Sequence, residues 1–63
     1  MSISVSTHEK LKCAERELKM RQRVYPRFVE NGKMKQWQAD YEIKVMQAII
    51  DDYRAQVEKE NLI

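Results

Sequence analysis

The chain has 63 residues and a mass of 7.6 kDa, which is enough for one domain. It is 43% hydrophobic and 35% charged, with a net charge of +2, and it has no apolar run of the roughly 18 residues that a membrane span requires. One cysteine and one histidine exclude an internal disulfide framework and a metal site built from several of either residue, so no cofactor or metal is expected.

Residues Met1 to Val5 show no helical period and are expected to fray. This opening also lacks the basic start, apolar stretch and small-residue cleavage site of a signal peptide, which makes the cytoplasm the expected location. Ser6-Thr7-His8-Glu9 then offers a capping box. The Ser6 hydroxyl can accept the Glu9 backbone N–H, and the Glu9 carboxylate can reach back to Ser6.

The first helical pattern is Leu11, Ala14, Leu18, Arg21, Tyr25 and Phe28, with steps alternating between three and four. That spacing keeps one face inward and predicts a helix over about residues 7–31. Pro26 falls inside it. Proline has no N–H for the Gln22 carbonyl and its ring presses on that turn, so a kink is expected near Pro26. Tyr25 and Phe28 stay in phase with Leu18, which favours one kinked helix over a break at Tyr25. Asn31-Gly32 ends the segment, with glycine suited to the left-handed position after a helix.

After Lys33-Met34-Lys35 comes a second pattern: Ala39, Ile43, Met46, Ile50, Tyr53 and Val57. No Gly or Pro interrupts it, which predicts a helix over about residues 36–60. The short connection makes the two helices antiparallel neighbours, pairing residues whose numbers add to about 68. Phe28 then faces Ala39, Tyr25 faces Ile43, Arg21 faces Met46, and Leu18 faces Ile50. Ala14 faces Tyr53 and Leu11 faces Val57, so large residues meet small ones at two levels. The expected fold is all-α: a single antiparallel two-helix hairpin spanning residues 1–63.

A chain this short buries only about 60% of its unfolded surface, and self-association is the usual stabiliser left when disulfides and metals are absent. Beside the seam of helix 2 lie Val45 and Ile49, with Trp37, Tyr41 and Ala48 further round. A helix apolar over so wide an arc is covered on more than one side. Val45 and Ile49 are therefore the candidate self-association face, and a homodimer with a four-helix arrangement is expected.

Residues 9–29 hold seven Lys or Arg against three Glu, whereas residues 35–60 hold four against six Asp or Glu. Lys12, Arg16, Lys19, Arg23 and Arg27 recur at three- and four-residue steps, forming a candidate basic contact strip on helix 1. Such a strip can meet phosphate or an acidic protein face. It can equally be a solvated surface complementing the acidic second helix. Arg21 is a polar residue on the apolar seam; it can snorkel to the edge or pair with Glu42 or another acid, and it can set register. Trp37 and Met34 at the hairpin tip form either a contact patch or a small cluster closing the bend on Phe28 and Val29. Cys13, with no partner thiol, lies at the seam edge and reads as packing or an inert thiol.

Enzymatic function is not expected. A thin hairpin encloses no cleft of ligand size, and no reactive groups are paired for acid–base or nucleophilic work. A phosphate-cradling loop needs several glycines, and the chain has one.

Four segments carry a resemblance: Tyr25-Pro26-Arg27-Phe28-Val29, Gly32-Lys33-Met34, Ala39-Asp40-Tyr41-Glu42-Ile43 and Met46-Gln47-Ala48-Ile49. Together they resemble a family of short proteins from phages and prophage regions of proteobacteria, over roughly residues 9–54. The resemblance implies a helical hairpin and a phage-derived gene, and implies no site residues. Related sequences tend to place a hydroxyl residue where this chain has Lys35, which leaves the start of helix 2 without its usual cap. The function expected from all this is a small protein-interaction module, such as an adaptor or modulator of a host protein. The alternative is a nucleic-acid-binding accessory that uses the basic strip.

Overall fold

The computed structural model describes residues 4–62, and these fold into two helices, α1 (Thr7–Glu30) and α2 (Gln36–Asn61), packed against each other. Fraying was expected of residues 1–5; residues 1–3 lie outside the described residues, and Ser4 and Val5 are non-helical and exposed.

Ser6 caps α1 as its sequence requires. Its backbone is extended, at φ −75° and ψ 159°, and its hydroxyl accepts the Glu9 N–H at 3.1 Å. The return bond from Glu9 is not made, so half of the capping box is present. α1 then runs unbroken through Pro26 to Glu30. Tyr25 is therefore not a break. Gln22 and Pro26 are both exposed, so water can reach the Gln22 carbonyl that proline leaves without a donor.

The chain leaves α1 through a Schellman motif. Gly32 sits at φ +76°, its N–H donates to the Val29 carbonyl at 3.1 Å, and the Lys33 N–H donates to the Phe28 carbonyl at 2.9 Å. Only glycine takes that backbone angle without a Cβ penalty. The Lys33 ammonium lies 5.9 Å from the Phe28 ring centre, so the bend is held by a cation–π contact as well. α2 begins at Gln36 although its N-cap, Lys35, makes no side-chain capping bond and no acid lies in the first turn. Gln36 instead donates to Asp40 at 2.9 Å, one turn on. Tertiary packing starts this helix in place of a cap.

The seam forms as the two patterns require. Leu11, Ala14, Met46 and Ile50 make the buried cluster, with Leu18, Tyr53 and Val57 packed on it. Ile50 is fully buried at its centre, and Ala39 is buried near the bend. Of three side-chain links across the helices, two fit the register within one residue, Thr7 donating to Glu60 at 2.9 Å and Arg54 to Glu15 at 2.9 Å, while the third, from Arg21 to the Glu42 carbonyl, reaches a turn toward the bend. The Tyr25 and Phe28 rings stack at 6.1 Å, filling the seam near the bend.

Candidate functional site

The molecule measures 47 × 29 × 14 Å, a slab one helix thick. A single layer cannot enclose a ligand chamber, and its surface is correspondingly large. The chain exposes 5372 Å², whereas a compact monomer of this mass exposes about 4,300 Å². The candidate site is therefore a set of surfaces, best built face by face.

The first face is the flank beside the seam. On α2, Val45 is half-buried and Ile49 remains 38% exposed. Ile49 lines an open apolar groove with Met46 and Tyr53 from the same helix and with Ala14 and Cys13 from α1. Cys13 is exposed at the seam edge, on the groove wall, so it does not serve as packing. Sequence reasoning missed what α1 adds here. Cys13, Glu17, Met20 and Val24 recur at steps of four, three and four, a second stripe alongside the seam. Met20 and Val24 are half-buried. The signal was present in the spacing, but it overlaps the seam pattern and the basic strip.

The second face is the basic strip. Lys12, Arg16, Lys19, Arg23 and Arg27 are all exposed, and along α1 they span about 22 Å. Among the described residues none of the five forms a salt bridge. The shorter of the two ion pairs between the helices runs the other way, from Arg54 of acidic α2 to Glu15 of basic α1, at 2.9 Å. That hydrogen bond holds the Glu15 carboxyl below its ordinary range, against a smaller opposing effect of desolvation. The charges of Arg54, Lys12 and Lys19 add to the lowering. Glu15 thus interrupts the strip near Lys12 and Lys19 and offsets part of its field.

Arg21 stands apart from the strip. Its side chain is 20% exposed and donates from Nε to Glu17 at 3.1 Å and from Nη1 to the Glu42 backbone carbonyl at 2.9 Å. The Glu42 carboxylate lies 3.7 Å from Nη1, and the guanidinium is 5.9 Å from the Tyr25 ring centre. The residue expected opposite Met46 therefore reaches one turn toward the bend. Its Nε and Nη1 are taken up by structural pairing, within α1 to Glu17 and across to Glu42 on α2.

The third face is at the bend. Trp37 is 67% exposed and Tyr41, one turn along the same side of α2, is 60% exposed. Trp37 does not close the bend as a satellite cluster; the Schellman turn and Phe28 do that work without it. Met34 is half-buried.

Among the described residues there is no cluster of His, Cys, Asp or Glu that could hold a metal, and no helix is long and apolar enough to cross a membrane. No family model, curated protein or solved structure matches the chain.

Proposed function

We propose that the chain is a small non-enzymatic interaction module. It works as a homodimer through the Val45 and Ile49 flank, in a four-helix arrangement, and presents Trp37 and Tyr41 to a protein partner. The observation that carries this reading is the pair of aromatic side chains, 67% and 60% exposed one turn apart. Large aromatics dominate binding energy at protein interfaces, and here the fold makes no use of them. The excess of about 1,100 Å² over a compact monomer supports dimerisation, since a stable interface takes about 800 Å² from each partner. The resemblance to phage and prophage chains points to a host protein as the partner.

The second reading is a nucleic-acid accessory, favoured by five exposed cations in a row on α1. The two are separated by one set of variants. The chain has a single tryptophan, so Trp37 emission reports directly on the aromatic face. Capture from a phage-host lysate should survive the triple change Arg16→Glu, Lys19→Glu, Arg23→Glu and should be lost on Trp37→Ala with Tyr41→Ala. The purified partner should shift Trp37 emission to the blue, with little dependence on salt. If wild-type protein instead retards duplex DNA at physiological salt and the triple variant does not, the basic strip is the functional surface.

A further inference from the structure

We infer that the groove centred on Cys13 seats the same groove of a second copy, with a twofold axis passing between Cys13 and Ala14. This rests on the self-association reading above and specifies its geometry. The groove floor is Ala14, Met46, Ile49 and Tyr53, and Val45 precedes Ile49 by one turn of α2. The α1 wall carries three charges, Glu9, Lys10 and Glu17, of which Lys10 and Glu17 are the opposite pair on either side of Cys13. They are two turns apart, about 10 Å along the axis, and Cys13 and Ala14 lie midway between them.

That arrangement is self-complementary under a twofold and under few other operations. In a symmetric dimer a patch meets its own copy, so an opposite-charge pair placed evenly about the axis is matched twice. An axis between Cys13 and Ala14 runs the two copies of α1 antiparallel. Lys10 of one copy then faces Glu17 of the other, and the pair occurs twice. Glu17 already takes the Arg21 Nε bond on one carboxylate oxygen, which leaves its second oxygen for the lysine. The residues at the axis are small, which lets the two helices approach closely. The area exposed in excess of a compact monomer is also of the size that a standard dimer removes from each subunit.

Sedimentation combined with charge reversal and cross-linking tests this on the full chain. The chain has one cysteine, so a short bismaleimide can join two copies only through Cys13. Wild-type protein should cross-link efficiently at micromolar concentration. Lys10→Glu alone and Glu17→Lys alone should each weaken the dimer about tenfold, because every reversal places two like-charge contacts in the interface. The double reversal K10E/E17K should restore it to near the wild-type value. Circular dichroism of each variant checks that the helices persist. A dimer that neither cross-links through Cys13 nor responds to the reversals overturns this axis while leaving self-association standing. A monomer under all conditions overturns both.

Discussion

Ile50 is the most informative single position in the fold. It is fully buried, at the centre of the one hydrophobic cluster that holds α1 to α2. Replacing isoleucine by alanine in a core costs about 2–5 kcal/mol, the spread reflecting how well the site collapses around the gap. A slab 14 Å thick can yield more readily than a deep core, so Ile50→Ala should fall in the lower half of that range, about 2–3 kcal/mol. In a domain of this size each kcal/mol moves the melting temperature by about 4–8 °C, giving a drop of roughly 10–20 °C. Thermal unfolding followed by circular dichroism at 222 nm, with wild type and variant at equal protein concentration, measures it. Ile49→Ala is the internal control: the same chemistry one residue away, at a side chain 38% exposed. In dilute protein its cost should be clearly smaller, and the cost should grow with concentration as the flank becomes covered. A shift below about 4 °C for Ile50→Ala, under 1 kcal/mol, refutes the seam and the register together.

Three further outcomes follow from the geometry. Gly32→Ala should destabilise by about 1–2 kcal/mol; no atom lies within 4 Å of the added Cβ, so the whole cost is the backbone angle, and an unchanged urea midpoint would mean that the Schellman turn is not formed. Arg21→Met keeps an apolar stem in the seam and releases two carboxylates that are 40% and 41% exposed, so it should cost no more than about 1 kcal/mol; a loss of several kcal/mol would show that the pairing dominates the packing. Glu15 titrates lower in the folded chain than in the unfolded one, so the unfolded state binds the proton more readily and stability is lost as pH is lowered. The contribution is complete above the ordinary glutamate value of 4.5 and fades as pH drops through the lowered folded value. Carboxyl resonances followed by NMR should place Glu15 below the ordinary glutamate value of 4.5, and Arg54→Gln should raise it. An unmoved resonance would remove the cross-helix bond from the account.

Most of the fold was legible because each helix carries an unbroken alternation of three- and four-residue steps between clear punctuation marks. Ser6 and Glu9 set the start of α1, and Asn31-Gly32 set its end. Pro26 was the ambiguous residue, and phase decided it correctly: Tyr25 and Phe28 remain on the seam, so the helix continues. Arg21 was legible as a seam residue that pairs with Glu42, but its reach toward the bend was not, since a flexible side chain is free to extend to either neighbouring turn. The exposure of Trp37 was harder to foresee. Whether a tip residue folds under the bend depends on the exit angle of a glycine turn, and composition carries no information on that angle. The apolar stripe of Cys13, Met20 and Val24 was hidden for a different reason. It shares a helix with two stronger patterns and becomes visible as a face only when α2 is set beside it.

The central claim is that the exposed flank is covered by a second copy in the working protein. Sedimentation equilibrium from low to high micromolar concentration tests it most directly. The account predicts a mass that rises from near 7.6 kDa to twice that value and then stops, with Ile49→Asp holding the chain at the lower mass throughout. Wild-type protein that stays at 7.6 kDa across the whole range contradicts it.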